Sequence, residues 1–219
     1  LPEAIISCYD SYDDSQLSHL LDWADVVCIG CGLGMGQISE KILKNVLKNV
    51  SCPCVIDADG LNLLSRNIEL LNQCCAPVIL TPHMKEMSRL TGWSIDTIME
   101  DRFQALDQII KQSGPDTKSS IICVLKDSRT VVAQTNRQKF VNLAGNNSMA
   151  KGGSGDVLAG TIAGLLAQHM APFEAAAVGV FLHACGGDEA KKSKGSYSVL
   201  ARDLIQGMAD AMKNAKEYR

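Results

Sequence analysis

Basic residues are not in excess in this chain of 219 residues, in which 21 lysines and arginines face 24 aspartates and glutamates. The net charge of −3 excludes the basic surface that nucleic-acid binding requires, so no nucleic-acid partner is expected. No apolar run approaches the length of a membrane span, and no membrane partner is expected. The first residues lack the basic and apolar regions of a secretion signal. A chain of this length can form one domain around a sizeable core.

Zinc-binding spacing is also missing, because none of the 4 histidines completes a metal site with the 9 cysteines. An odd number of cysteines in a chain of this size favours a reducing compartment. We therefore expect structural thiols, no protein-bound metal and a cytoplasmic location. Four cysteines lie in apolar runs, where they are predicted to be small core residues: Cys8, Cys28, Cys54 and Cys123.

The glycines of residues 30–36 do not have the dinucleotide-binding spacing. A third glycine or alanine is required at position 35 or 37, where the chain has Met35 and Gln37. A redox enzyme of the Rossmann type is therefore disfavoured. The segment fits a flexible backbone that a bulky ligand approaches, or a plain turn between a strand and a helix.

Short apolar runs alternate with helix-length segments, which predicts a mostly parallel sheet with helices on both faces. A short polar turn at 136–138 predicts a hairpin and an antiparallel edge. The predicted strands are 4–8, 26–29, 54–57, 78–80, 121–125, 131–134 and 140–143. The predicted helices are 15–23, 39–50, 63–74, 85–90, 95–112, 156–168, 172–191 and 201–215.

Residues 146–160 are the most informative part of the chain. Glycines let the backbone curl tightly before a helix whose N-terminal end favours an anion. Asp156 at that place suits a base that takes a proton from a hydroxyl while backbone N–H groups hold a phosphoryl group. The alternative is an aspartate that only stabilises the helix start. Gly160 and Gly164 in the following helix suggest close packing against another helix.

Polar residues follow three predicted strands, where ligands bind in open α/β sheets. Asp57 suits either a functional or a capping role, and Asp59 a turn role. His83 and Glu86 share a helix face, and His83 is a candidate donor to substrate or a structural histidine. Residues 126–130 suit nucleotide phosphates or an ordinary polar hairpin, and Lys151 is a further candidate phosphate contact.

Five segments, in sequence order, resemble the NAD(P)H-hydrate dehydratases, a branch of the ribokinase-like superfamily. The most telling is 152–160, Gly-Gly-Ser-Gly-Asp-Val-Leu-Ala-Gly; the others are 24–34, 55–62, 79–92 and 124–130. Three positions depart from the family pattern. Cys31 replaces a proline, Lys85 a glycine, and Asp127 the glycine after the lysine.

The resemblance implies a single ribokinase-like domain over 1–219 that lacks an N-terminal βα unit. It implies repair of hydrated NADH or NADPH with ADP or ATP as co-substrate and Mg²⁺, and a homo-oligomer, a tetramer in the family. Asp156 is the implied base, and Glu86 is expected to organise water around Mg²⁺. The implied substrate contacts are Gly34, His83 and Asp156. The implied nucleotide contacts are Lys126, Asp127, Ser128, Arg129, Thr130, Ser154 and Gly155.

The side chain of Asp127 is expected to turn to solvent or to bond the backbone near Arg129, away from the nucleotide. Two other functions stay open. A small-molecule kinase of the vitamin or hydroxyethylthiazole type shares the Gly-Asp segment, although the 81–92 block argues against it. A non-catalytic nucleotide-sensing module is the other, although sensing has no use for the base Asp156.

Overall fold

Six strands form one sheet whose spatial order follows the sequence. In the computed structural model the described residues are 4–6, 11–111, 120–137 and 139–215. The first four strands are parallel, and the last two add as antiparallel neighbours, which confirms the predicted hairpin edge. The strands are β1 Val27–Ile29, β2 Cys54–Ile56, β3 Val78–Leu80, β4 Ile121–Leu125, β5 Val131–Gln134 and β6 Phe140–Val141.

Helices cover both faces of the sheet, as predicted for parallel βαβ units. In addition, 3₁₀ turns lie at Ile68–Gln73 and Asn147–Met149. Among the described residues, no helix combines the length and the hydropathy of a membrane span. The α-helices are α1 Asp14–Trp23, α2 Gln37–Asn49, α3 Ala58–Leu64, α4 Met84–Thr91, α5 Ile95–Glu100, α6 Arg102–Ile110, α7 Ser154–Ala167, α8 Pro172–Lys194 and α9 Ala201–Ala215.

The alternation of side chains along each strand divides the core into two clusters. In β2, Cys54 and Ile56 belong to the cluster beneath α2, α3, α4 and α6. Val55, between them, belongs to the cluster beneath α7 and α8. All three are fully buried, which is why the parallel strands read as continuous apolar runs rather than alternating ones.

Two predicted helices are each two elements in the structure. The prediction 95–112 is divided at Asp101, which is not helical and whose carboxylate accepts from the N–H of Gln104 at 2.9 Å. An aspartate in this role begins a new helix rather than continuing the old one. The prediction 63–74 is wrong in the same way, because α3 already begins at Ala58 and Asn67 is not helical before the 3₁₀ turn.

The predicted first strand, 4–8, is not a strand where the structure describes it, at residues 4–6. Ser7 and Cys8 lie outside the described residues. So do most of the predicted loop at 113–120 and Gln138 of the hairpin turn.

Close helix packing occurs between α8 and α9 rather than at the small residues of α7. A Cβ at Gly207 would collide with the carbonyl of Gly186, so these two backbones touch. Apart from the neighbouring backbone of α7, no atom of the described residues lies within 4 Å of a would-be Cβ at Gly160 or Gly164, and both are exposed. The prediction that they pack closely against another helix is therefore wrong within this chain.

Replacing Gly207 with Ala should lower the free energy of unfolding by about 1–3 kcal/mol, because a methyl group has no room at the α8–α9 crossing. Gly164→Ala is the matched control and should raise it by about 1 kcal/mol, since the site is open and alanine favours a helix. Urea denaturation of both variants measures the difference. Equal effects of the two substitutions would contradict the packing described here.

Candidate functional site

The carboxyl ends of the parallel strands carry the polar residues that the sequence singled out. Asp57 follows β2, the segment to His83 follows β3, and Lys126 follows β4. The N–H of Lys126 donates to the carbonyl of Pro82 at 2.8 Å, so the last two chain segments run side by side beyond the sheet. Side chains from three strands therefore meet at one edge, where open α/β sheets bind ligands.

A buried ion pair joins two of these strand ends. Lys126 Nζ lies 2.6 Å from Asp57 Oδ1, and the two side chains are 18% and 2% exposed. The first turn of α7 packs directly on this pair, since a Cβ at Gly155 would lie 3.3 Å from Lys126 Nζ. Asp57 makes no side-chain bond to the start of α3, so the capping interpretation of this residue is wrong.

Asp59 also has a different role from the predicted one. It lies in the first turn of α3, and its Oδ2 accepts from the N–H of Gly34 at 2.8 Å. Its predicted turn role is therefore wrong. Because this bond uses the N–H of Gly34, that N–H is not available to a substrate. The predicted substrate contact of Gly34 is then through its carbonyl or its Cα.

The backbone around Asp57 and Asp59 is closely packed and partly strained. Gly30 has φ of +121°, and a Cβ there would collide with the carbonyl of Asp57. Ala58, between the aspartates, has φ of +48°, a left-handed conformation that costs energy for a residue with a Cβ. Strained backbone of this kind clusters at functional sites.

The glycine-rich segment forms the predicted turn and helix start. Gly153 is the N-cap of α7 with φ of +85° and has no side chain to cap the helix. Ser154 donates its N–H to the carbonyl of Lys151 at 3.2 Å, so this amide is already used. The N–H groups of Gly155 and Asp156 remain at the positive end of the helix, where no intrahelical acceptor exists for them.

Asp156 is exposed in the first turn of α7 and lies beside a thiol that the sequence analysis treated as structural. The Sγ of Cys31 lies within 4.8 Å of this carboxylate. Burial and Asp156 raise the pKa of Cys31 to about 12, and burial raises that of Cys28 to about 11. The signal that predicts a neighbouring pair is the Cys28-x-x-Cys31 spacing, which the sequence analysis missed.

A cavity of about 790 Å³ has Lys126 of the ion pair in its wall. Residues 126–130, here called the phosphate loop, line it together with the start of α7 and His83. Gly34 and Asp156 are not among its lining residues. Asp156 lies next to its wall, because its neighbour Gly155 is part of it. The predicted residues that line the cavity are His83, Lys126, Asp127, Ser128, Arg129, Thr130, Lys151, Ser154 and Gly155.

An ion pair connects the phosphate loop to the first residue of α6. Asp127 Oδ2 accepts from Arg102 Nη2 at 2.9 Å, and both side chains are 27% exposed. The expected bond from Asp127 to the backbone near Arg129 is wrong, because a cationic partner lies within reach. The hydroxyl of Thr130 instead donates to the carbonyl of Asp127 at 3.2 Å and closes the turn.

His83 caps α4 and still presents a donor. Its Nδ1 accepts from the N–H groups of Lys85 and Glu86 at 3.1 and 3.2 Å, so the proton of the neutral ring is on Nε2. The carboxylate of Glu86 accepts in turn from the N–H of His83 at 2.9 Å, which completes a capping box. Burial raises the pKa of Glu86. The Nδ1 of this histidine is therefore structural, and its Nε2 lies 3.4 Å from Glu86 Oε1 while half of the side chain stays exposed.

The structure adds one residue that lines the cavity and one that lies behind its wall, and sequence reasoning missed both. His183 lines the cavity from α8, its Nε2 lies 3.3 Å from Ser154 Oγ, and burial lowers its pKa to about 4. Asp188 accepts from the side chain of Asn146 at 2.7 Å and so orders that wall. A polar residue within an otherwise small and apolar helix segment is the available signal for His183.

Comparison with known proteins shows the family to which this chain belongs. A family model described as NAD(P)H-hydrate dehydratase matches residues 1–209. The ADP-dependent (S)-NAD(P)H-hydrate dehydratase of Neisseria meningitidis is 38% identical over 216 residues, which are 97% of this chain and 69% of that enzyme. The bifunctional NAD(P)H-hydrate repair enzyme Nnr of Moorella thermoacetica is 38% identical over 93% of this chain. This chain spans 37% of the length of that relative.

Solved structures show the same fold. The ADP/ATP-dependent NAD(P)H-hydrate dehydratase of Bacillus subtilis, co-crystallised with ATP and Mg²⁺, superposes with a TM-score of 0.76 at 29% identity. The match covers 87% of this chain and 64% of that one. A ribokinase from Thermotoga maritima superposes over 91% of this chain with a TM-score of 0.55 at 17% identity. The predicted ribokinase-like fold is therefore confirmed.

Replacing Lys126 with Met should lower the free energy of unfolding by about 3 kcal/mol, because Asp57 is then a buried charge without a partner. The double variant Asp57→Asn, Lys126→Met should recover at least half of that loss. Urea denaturation of the two single variants and the double variant completes the cycle. A loss below about 1 kcal/mol for Lys126→Met would show that the pair behaves as a surface ion pair.

Proposed function

We propose, on the premise that the chain belongs to the NAD(P)H-hydrate dehydratase family, that it converts hydrated NADH or NADPH back to NADH or NADPH at the expense of ADP or ATP. The observation that carries the proposal is the position of Asp156. Its carboxylate stands at the N-terminal end of α7, beside the wall of a cavity of about 790 Å³. A base and a phosphate-binding helix start are thus combined at one point.

The proposed reaction has two stages. Asp156 takes the proton of the ring hydroxyl, and that oxygen attacks the terminal phosphoryl group of the nucleotide, whose bond to the bridging oxygen breaks so that AMP or ADP leaves. Phosphate then leaves with the electron pair of the carbon–oxygen bond while the neighbouring ring carbon loses a proton to solvent, which restores the double bond. Because hydroxide is a poor leaving group and phosphate a good one, the nucleotide makes the dehydration feasible.

Charge that develops on the transferred phosphoryl group has three sources of stabilisation. The N–H groups of Gly155 and Asp156 point from the start of α7. Lys126, held by Asp57 at 2.6 Å, presents a fixed positive charge at the cavity wall. Lys151 adds a second point charge at that wall. The remaining nucleotide contacts proposed are Ser128, Arg129, Thr130 and Ser154.

The carboxylates near Lys126 fit Mg²⁺, which takes oxygen ligands and is usually held by one or two carboxylates, waters and substrate phosphates. Asp57 and Glu86 are both buried and both lie close enough to Lys126 to interact with it electrostatically. The two carboxylates would hold Mg²⁺ or its waters beside the nucleotide. The ion would neutralise part of the negative charge of the phosphates.

The hydrated nicotinamide is proposed to lie on the Asp156 side of the ion pair, opposite the nucleotide cavity. His83, half exposed at the cavity wall, is proposed to contact its amide or phosphate where the two regions meet. The segment around Gly34, held by Asp59 at 2.8 Å, is proposed to form the opposite wall. In this proposal the hydroxyl would lie between the base and the phosphoryl group.

Replacing Asp156 with Asn should lower kcat by about 10²–10⁴, because the amide keeps the size of the side chain and removes the base. The measurement is the return of reduced-nicotinamide absorbance after hydrated NADH is mixed with ADP or ATP. Nucleotide affinity should stay within about tenfold of the original. Asp96→Asn is the matched control, an exposed aspartate in the first turn of α5, and should leave kcat unchanged.

Two results would contradict the assignment. A fall of less than tenfold in Asp156→Asn would remove this residue from the role of base. A phosphorylated product that accumulates without release of inorganic phosphate would instead support the small-molecule kinase.

Replacing Asp127 with Gly should change the Michaelis constant for the nucleotide by less than about tenfold, or under roughly 1.4 kcal/mol, because Arg102 already neutralises this carboxylate. Arg102→Ala is the contrasting variant. It leaves the aspartate without its partner at the cavity wall and should raise the Michaelis constant. A gain of more than tenfold in affinity for Asp127→Gly would show that Asp127 opposes the nucleotide directly.

A further inference from the structure

Three metal-ligating groups converge around the proposed base. The Sγ of Cys31 and carboxylate oxygens of Asp57 and Asp156 all lie within 4.8 Å of one another. They come from three separate elements: the turn after β1, the end of β2 and the first turn of α7. A second free thiol, that of Cys28, stands three residues earlier in the chain. The convergence therefore arises from the fold and not from neighbours in sequence.

The donor set selects a class of ion. A sulfur with two carboxylates suits Zn²⁺ and similar borderline cations, which accept thiolate and carboxylate together. Mg²⁺ is selected by oxygen donors and has no use for the sulfur. Zinc–ligand bonds are about 2.0–2.3 Å long, so donors that share one ion lie up to about 4 Å apart. The three atoms lie within 4.8 Å of one another, which is close to that spacing.

Electrostatics also favours a dication at this point. The ammonium group of Lys126 pairs with Asp57 at 2.6 Å, whereas among the described residues Asp156 has no ion pair. The negative charge of the two carboxylates attracts a cation to this point. A bound dication makes a coordinating thiol lose its proton. In the binding step the S–H bond breaks, the metal–sulfur bond forms, and the proton passes to solvent; nothing is oxidised or reduced.

We propose that Cys31, Asp57 and Asp156 form a binding site for a thiophilic divalent cation such as Zn²⁺, and that the bound ion inhibits the enzyme by occupying its base. The binding site stands on the geometry alone. The inhibition rests on the proposed function, because it requires that Asp156 act in the reaction.

Cobalt binding tests the site without any use of activity. Titration of the protein with Co²⁺ should produce the near-ultraviolet charge-transfer absorption of a cobalt–thiolate bond, and added Zn²⁺ should abolish it while Mg²⁺ should not. Cys31→Ser and Cys31→Ala should lose the band. Cys75→Ser, which removes another exposed thiol, should keep it. Circular dichroism confirms that each variant is folded. A band of unchanged intensity in both Cys31 variants would overturn the site.

Inhibition is tested separately, with Mg²⁺ and nucleotide in excess. Zn²⁺ should inhibit the original protein and Cys75→Ser alike, and a chelator should restore the rate. In Cys31→Ser the half-inhibitory concentration should rise at least tenfold relative to the variant's own uninhibited rate. Cobalt binding at Cys31 without zinc inhibition of an active enzyme would overturn the inhibitory role. Failure of the proposed activity would appear as no turnover before any zinc is added, and the cobalt result would still decide the site.

Discussion

The ion pair between Asp57 and Lys126 is the constraint on which the rest of the site depends. It joins the ends of β2 and β4 at 2.6 Å, with β3 between them. The first turn of α7 packs on it through Gly155, so the position of the helix start follows from the pair. The base Asp156 comes next in that turn. The pair thus sets the distance between the proposed base, the helix amides and the cavity.

Such a pair is a poor device for stability alone. Well-packed apolar residues in place of a buried ion pair are often neutral or stabilising, because both charges must leave water. The strained backbone at Ala58, with φ of +48°, adds a further cost beside it. Both features are understandable if the protein needs a fixed cation at the cavity wall and a carboxylate near the phosphates. The burial of apolar side chains in the two clusters on either side of the sheet offsets this unfavourable contribution to the free energy of folding.

Sequence reasoning succeeded where a local pattern determines the structure. Buried parallel strands are continuous apolar runs, so β3, β4 and β5 were predicted with their observed bounds. The glycine-rich turn before α7 was equally local. Side-chain partners distant in sequence could not be predicted this way. Asp57 and Lys126 are 69 residues apart, and Arg102 meets Asp127 across the sheet edge. A short polar side chain such as Asp59 or Asp101 suits a turn, a cap or a tertiary bond equally well.

Two adjoining regions of different polarity follow from this arrangement. On one side the cavity has lysines, hydroxyls and a neutral buried histidine, His183, which suit a phosphorylated nucleotide. On the other side the carboxylate of Asp156 lies among thiols and Asp57, which suits proton removal but also attracts cations. A base must be accessible and ionised to work, and those same properties make it a ligand for metal ions. The thiol of Cys31 adds preference for a soft ion to that general liability, so the chemistry that serves the proposed reaction also exposes it to inhibition.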